Sequence, residues 1–402
     1  MKFLHTADWH IGRTLNGFSL ESEQVYAFKQ ILEIAKSNMV DGIIIAGDLY
    51  DRTVPNTDAV TTFNEMVKKL TFESNIPIYA ISGNHDGARR LEFGHEFFKS
   101  LNFYMYTNLE HALNPVETSE VQIFLLPFLD PMDIRLFYKH FMGENDEEVK
   151  KYQNINDGIK RIITDMKKKF NPFKKQILVT HFAVTKKDEV DDNKLRTIMF
   201  SEATSTVGGL AVLTSDIFAD FDYVALGHIH TNLASPSENI VYSGSPVMFN
   251  TKEAKLKQTK GVYIVDLSKE NVCKTFVPLR VEKPIFVLEE TFDTLVDPKF
   301  YEIYTTKKAW FSFRIINYDR VALTGINIRS RLEEIYGKDI VELTIDEKID
   351  NFSQKNTDSN MKKLAPEEVI TRFYQEFTEE NMTDYQREIV TTILEKVIKE
   401  EW

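Results

Sequence analysis

The chain has 402 residues, 43% hydrophobic, 27% charged and 12% aromatic, a globular composition that excludes wholesale disorder and leaves room for two or three domains. Apolar runs such as Asp41-Gly-Ile-Ile-Ile-Ala-Gly47 fall well short of the ~20 residues a membrane helix needs. Met1-Lys-Phe-Leu-His-Thr-Ala-Asp8 meets polar residues too early for a signal peptide, so a soluble, cytoplasmic protein without a membrane anchor is expected. The lone cysteine, Cys273, excludes an intrachain disulfide and a multi-thiolate zinc site, and a net charge of −12 excludes a uniformly basic nucleic-acid binder but not a local basic surface.

From residue 1 to about 275 short apolar runs alternate with helical stretches, which predicts an α/β layer fold. Strands are expected at Phe3–Thr6, Gly42–Ala46, Pro77–Ile81, Gln176–Thr180, Tyr223–Leu226, Ile240–Tyr242 and Gly261–Val265. Between them, Glu21–Ser37 carries Val25, Phe28, Ile31, Leu32 and Ala35 on one helical face. Ile155–Phe170 repeats Ile155, Ile159, Ile162, Ile163 and Met166 at helical spacing and ends before Pro172.

Near Pro278 the pattern changes to a smaller mixed module, with strands expected at Ile285–Leu288, Trp310–Ile315 and Ile340–Ile345 and a helix near Asn327–Tyr336. Residues 351–364 are polar and unpatterned, which is linker chemistry. Two amphipathic helices follow. Pro366–Phe377 opens on Pro and two glutamates, and Thr383-Asp-Tyr-Gln386 reads as a capping box ahead of Ile389, Val390, Ile393, Leu394 and Val397. The expected organisation is therefore 1–277, 278–350, a linker at 351–364 and a helical segment at 365–402.

Five of the nine histidines fall in short clusters: Asp8-Trp-His10, Gly47-Asp48-Leu-Tyr-Asp51-Arg52, Gly83-Asn84-His85-Asp86, His181, and Gly227-His228-Ile-His230. Each follows a predicted strand directly, and loops at the carboxyl ends of strands in α/β sheets converge on ligand sites. One Asp-x-His is more often a cap or turn, and an Asp after a strand often caps the next helix. All five in series are a specific signal. Carboxylates and imidazoles suit divalent first-row metals, and a shared carboxylate bridging two ions would clamp a phosphoryl group and activate water. His5, His95, His111 and His140 lack such partners and read as packing or surface residues.

The five clusters resemble those of the calcineurin-like metallophosphoesterase superfamily. More narrowly, His5-Thr-Ala-Asp-Trp-His-Ile-Gly12, Val207-Gly-Gly-Leu210, Phe221–His230 and Tyr242-Ser-Gly-Ser-Pro246 resemble the SbcD family of nuclease subunits. The resemblance implies a metallophosphoesterase β-sandwich flanked by helices, a small α+β capping domain and a C-terminal helical pair. It implies two ions, with manganese as the expected metal. Asp8, His10, Asp48 and His230 would hold one; Asp48, Asn84, His181 and His228 would hold the other, with Asp48 bridging. His85 would then act as general acid, and Asp51 would orient it, although archaeal relatives carry a histidine where Asp51 stands. Arg13 and Arg52 follow metal motifs and could contact phosphate.

The implied function is DNA repair and recombination: cleavage of double-stranded DNA ends and hairpins, as exonuclease and endonuclease, by a cytoplasmic, nucleoid-associated protein. The implied partners are the SbcC ATPase, bound by the C-terminal helices, and a second copy of the chain. A small-molecule phosphodiesterase or phosphatase of the same superfamily is the competing reading. Residues 351–402 carry 7 basic and 11 acidic residues, so this tail is not a DNA-binding arm, and its apolar stripe suits a groove or coiled coil. Lys167, Lys168, Lys169, Lys174 and Lys175 form a basic cluster, and the aromatic segments Arg90–Leu101 and Pro131–Phe141 are candidates for self-association.

Overall fold

The structure is a computed structural model describing residues 1–186, 212–268, 270–306, 308–318, 325, 327–347, 370–371, 374–375 and 381–400. Val207–Leu210, the linker at 351–364 and most of the expected helix Pro366–Phe377 lie outside the described residues. The chain divides into two compact units, Met1–Arg314 with Ile326–Thr344, and Ile315–Gly325 with Ile345–Trp402.

The principal strands, in chain order, are β1 (Lys2–Thr6), β2 (Gly42–Ala46), β3 (Ile78–Ile81), β4 (Phe103–Tyr106), β5 (Val116–Glu117), β6 (Val121–Leu126), β7 (Lys175–Thr180), β8 (Tyr223–Leu226), β9 (Ile240–Tyr242), β10 (Gly261–Asp266) and β11 (Cys273–Pro278). They form two sheets, ordered β11-β10-β1-β2-β3-β4 and β9-β8-β7-β6-β5. Strands β1 to β4 are mutually parallel, as are β6 to β9, whereas β10, β11 and β5 pair antiparallel at the margins.

The sheets pack face to face. Phe3, Ile44, Ile81, Ile123, Val179, Tyr223 and Val241 fill the space between them. Side chains alternate across a strand, so Leu4, Ile43 and Ile45 point the other way. They meet Phe28 and Ile31 of helix α1 (Glu21–Ser37) and Phe63 and Met66 of α2 (Thr57–Lys68). On the opposite outer face, Phe124, Leu178 and Val224 pack on Ile134 and Tyr138 of α3 (Pro131–His140) and on Ile159, Ile162 and Met166 of α4 (Ile155–Lys167). The result is the β-sandwich flanked by helices that the resemblance implies. Because parallel strands are covered on both faces, Gly42-Ile-Ile-Ile-Ala46 is continuously apolar and wholly buried.

Strands β4 and β6 do not stand out in the sequence pattern. They are short apolar runs without the alternation or the trailing Asp/His cluster that marks the others, and only their pairing with β3 and β7 defines them. Helix α1 buries Phe28, Ile31 and Ala35 as its periodicity predicts. It also buries Gln24 and Gln30, whereas Val25 and Leu32 are half-buried.

Beyond β11, strands at Ile285–Glu290, Trp310–Tyr318 and Ile340–Glu347 and a helix at Ile328–Tyr336 match the expected elements. Phe311 and Phe313 stack, and Tyr336 packs against both at interplanar angles of 60° and 62°. In the second unit a helix runs from Asp384 to Glu400. Its capping box is formed: Thr383 N–H donates to Gln386 Oε1 at 2.8 Å and Gln386 N–H to Thr383 Oγ1 at 3.3 Å. Among the described residues no helix is long and apolar enough to cross a membrane.

His5 is a core residue, as expected for a histidine without partner motifs. Fully buried between the sheets, its Nδ1 shares a 2.9 Å hydrogen bond with the Tyr223 hydroxyl. Removing the hydroxyl leaves a buried imidazole nitrogen unsatisfied. Tyr223→Phe is therefore expected to lower stability by about 1–3 kcal/mol in urea unfolding, with bound metal content unchanged.

Candidate metal centre

All five clusters lie at the carboxyl ends of strands: after β1, β2 and β3 in one sheet and after β7 and β8 in the other. The first two loops are zipped together by main-chain hydrogen bonds, Asp8 N–H to Gly47 O at 3.1 Å, His10 N–H to Asp48 O at 3.0 Å and Ile11 N–H to Leu49 O at 2.9 Å. That registration turns the chain sharply. Asp8, His10, Asp48 and His228 all have positive φ, at 53°, 43°, 50° and 88°, a region that costs an L-residue about 1–2 kcal/mol. Four strained residues in one locus mark a functional site. Glycines permit the approach: a Cβ on Gly83 would collide with the Asp48 carboxylate, and one on Gly227 with Ala46 O and the His181 ring.

Asp8, His10, Asp48 and His181 are essentially inaccessible, His230 is 5% exposed, and Asn84, His85 and His228 are half-buried. Ligand atoms of Asp8, His10 and His230 converge within 4.8 Å of one another, as do those of Asp8, Asp48 and His181. Asp48 Oδ2 lies 3.4 Å from His10 Nε2 and 3.2 Å from His181 Nε2, between the two groups. Asn84 Oδ1 stands 3.1 Å from His181 Nε2 and 2.9 Å from His228 Nδ1.

The donor set fits a cation. His181 Nδ1 faces the Ala46 carbonyl at 2.7 Å, and a carbonyl only accepts, so the ring proton sits on Nδ1. The lone pair on Nε2 then confronts two further acceptors, Asn84 Oδ1 and Asp48 Oδ2. Without an ion, a second proton must take that place. Burial opposes charge on His181, but Asp48 and Asp8 outweigh it and push the imidazole up to about 9. Burial also opposes ionisation of Asp48, yet the charge and hydrogen bond of His181 hold its carboxyl well below the usual range. Burial keeps His10 and His230 neutral and pushes His228 down to about 3.

His85 sits beside this group, its main-chain N–H donating to Asp48 Oδ1 at 2.9 Å and its ring 4.8 Å from that of His10. Its Nδ1 donates to the main-chain carbonyl of Asp51 at 3.0 Å. The Asp51 carboxylate instead accepts from Arg13 Nη1 at 3.0 Å and lies 3.7 Å from His10 Nδ1 and from Arg52 Nε. Asp51 thus meets His85 through its backbone. Arg13 also lies over the Phe249 ring at 4.9 Å, whereas the Arg52 side chain is 77% exposed. The basic cluster is taken up by local partners: Lys167 pairs with Asp220, Lys168 with Asp165, Lys174 with Glu117 and Lys175 with Asp222, and Lys169 donates to Asn114. Its ammonium groups are committed to those partners rather than gathered for a phosphate.

Two supporting residues escape sequence reasoning. Gln24, on α1, donates to Trp9 O at 3.1 Å and His10 O at 2.6 Å, pinning the first loop. A buried polar residue on a helix has no sequence mark without its partner. Asp86, within the third cluster, accepts from the N–H groups of Leu49, Tyr50 and Gly83 at 3.1, 2.9 and 2.8 Å. It ties the second loop to the third. Burial, aided by Asp48, pushes its carboxyl up to about 6 despite those three donors.

Residues 1–232 match the calcineurin-like phosphoesterase family, and the chain belongs to that family. It is 31% identical over 337 residues to a Staphylococcus epidermidis protein named as the SbcD subunit of the SbcCD nuclease, covering 84% of this chain and 83% of that one. Its identity to the protein of the same name in Staphylococcus saprophyticus subsp. saprophyticus is 32% over 299 residues, 74% of each chain. Family and site together define a metal-dependent phosphodiesterase of the hydrolase class.

Ion capture at His181 must displace a proton at neutral pH, whereas His10, His228 and His230 are already neutral and release none. Calorimetric titration with manganese should therefore show net proton release. Affinity should rise about tenfold per pH unit between about pH 6 and 8; a pH-independent affinity would remove His181 from the ligand set.

Proposed function

We propose that the chain is the nuclease subunit of an SbcCD-type complex, hydrolysing phosphodiesters of duplex DNA at ends and hairpins, as exonuclease and endonuclease, in repair, recombination and replication of the nucleoid. The observation that carries this is the convergence of Asp8, His10, Asp48, His181 and His230, with Asn84 Oδ1 beside His181 and His228, in a phosphoesterase fold, joined to likeness over most of the chain with two curated nuclease subunits. Asp8, His10, Asp48 and His230 hold one divalent ion and Asp48, Asn84, His181 and His228 the other, manganese being the metal proposed. When bound, the ions supply charge to neutralise the phosphodiester and a nucleophile at neutral pH.

The protein's own groups do the rest. With its Nδ1 proton committed to Asp51 O, His85 has Nε2 available to pass a proton to the leaving oxygen. Asp51 restrains that ring through its backbone and holds Arg13 through its carboxylate. Arg13 and Arg52 contact the phosphates that flank the scissile bond. Such contacts read backbone, so little sequence preference is expected.

The C-terminal segment 365–402 docks on the coiled-coil base of the SbcC ATPase. In support, Tyr385, Ile389 and Ile393 recur at four-residue spacing and are 73%, 41% and 56% exposed, an apolar stripe that a small-molecule phosphodiesterase does not need. Self-association runs through the two aromatic segments. In support, Phe93 and Phe97 of the first and Phe141 of the second are 85%, 79% and 66% exposed, although Ile134 and Tyr138 belong to the core.

The test is cleavage of end-labelled duplex and hairpin DNA with manganese, magnesium or EDTA. Manganese-dependent cutting is expected; hydrolysis of only a chromogenic phosphodiester, even with the ATPase subunit added, would favour the small-molecule reading. Asp48→Ala should abolish both metal binding and cleavage. His85→Ala should keep metal and DNA binding but cut about 100- to 10,000-fold more slowly, and near wild-type turnover would overturn the general-acid role. Deleting 365–402 should spare metal-dependent nuclease activity and lose the ATPase in co-purification; retained ATPase binding would place the docking surface elsewhere.

A further inference from the structure

Behind His230 lies an ion pair that the proposed chemistry does not use. Lys260 and Glu253 are 4% and 2% exposed, and their charged ends meet at 2.7 Å. The Lys260 ammonium also donates to the main-chain carbonyl of His230 at 2.9 Å and to Ser245 Oγ at 2.9 Å. Glu253 is held from a third side by Asn250 Nδ2, which donates to Oε1 at 2.7 Å. A charge pair this deep carries a large desolvation cost and is poor evidence of a stability role. Its position relative to the metal centre supplies another.

His230 turns Nε2 toward His10 Nε2, 3.1 Å away, and so toward the cluster with Asp8. Its other ring nitrogen, Nδ1, is buried with no hydrogen-bond partner among the described residues. Glu253 Oε1 stands 4.0 Å from that nitrogen. A metal on Nε2 leaves the ring proton on Nδ1, which then needs an acceptor. We propose, on the reading that these residues form a two-metal centre, that Glu253 is that acceptor: a positioning residue, anchored by Lys260, that orients His230 toward the first ion. On this proposal the two atoms, 4.0 Å apart, would approach toward the ~2.9 Å of a hydrogen bond with an ion bound.

The two metal positions are thereby made unequal. His181 gives its far nitrogen to a neutral main-chain carbonyl. His230 gives its own to a carboxylate, and the far nitrogen of His10 likewise faces the Asp51 carboxylate at 3.7 Å. A carboxylate behind an imidazole raises its basicity more than a carbonyl does. Glu253 therefore strengthens the position built from Asp8, His10 and His230 and leaves the other alone.

The experiment is a manganese titration of the full chain, by calorimetry and by the paramagnetic resonance of free manganese. Wild type should bind two ions. Glu253→Gln, which removes the charge but keeps the shape, should weaken one ion by about 10- to 100-fold and leave the second unchanged. In a His230→Ala background the same substitution should cause no further loss, because Glu253 acts through that ring. Because Glu253→Gln leaves Lys260 unpaired, the double variant Glu253→Met/Lys260→Met, which removes both charges, should show the same selective loss with an unchanged melting temperature of the metal-free protein. Two wild-type affinities in Glu253→Gln, equal weakening of both ions, or further loss without His230 would overturn the proposal. A wild-type chain that binds no manganese would instead overturn the metal centre itself.

Discussion

With His181 Nδ1–H donating to the Ala46 carbonyl, three acceptors are left facing one another: His181 Nε2, Asn84 Oδ1 and Asp48 Oδ2. Such a set repels itself unless positive charge enters it, and in a buried site water cannot screen the repulsion. The rest of the fold works against that repulsion. The two sheets deliver the groups from opposite sides, main-chain hydrogen bonds lock the first loop onto the second, and Asp86 ties the second to the third through three N–H donors. Left-handed backbone at Asp8, His10, Asp48 and His228 is the local cost of holding them.

A preorganised anionic and imidazole site that holds cations would let an acidic chain act on a polyanion, as the proposed function requires. The net charge of −12 repels DNA at long range, and four of the five lysines of the basic cluster are paired with acidic neighbours. Positive charge for a scissile phosphate would come from bound ions, and Arg13, lying over Phe249 and paired with Asp51, is a cation fixed beside the metal-centre residues. On the proposed function, grip along the duplex would fall to a partner subunit. The exposed stripe on the helix Asp384–Glu400 suits such a partner.

The outer support of the histidines is uneven, which on the proposed two-metal reading would give the two positions separate characters around one shared carboxylate. A neutral carbonyl behind His181 leaves its basicity to Asp48 and Asp8, whereas the carboxylates behind His10 and His230 are fixed by Arg13 and Lys260. Lys260 reaches the carbonyl of His230 and the hydroxyl of Ser245 as well as Glu253, so one buried ammonium joins the segment after β9 to the loop after β8.

Much of this was legible in the chain itself. Hydrophobic runs and helical periodicity gave β2, β8, β9 and α1 at their observed bounds, because a strand buried on both faces and a helix buried on one leave unmistakable patterns. The polar clusters that follow those strands named the candidate ligands, because the carboxyl ends of parallel strands are where loops converge. What sequence could not carry is anything that depends on a partner distant in the chain. Strands β4 and β6 exist through their neighbours; Gln24, Asp86, Glu253 and Lys260 matter through the atoms they touch; and Asp51 meets His85 with its carbonyl, not its carboxylate. Residue type and spacing are written along the chain and determine which chemistry is possible. Which lone pair faces which proton is decided only when two sheets close on each other and water is excluded.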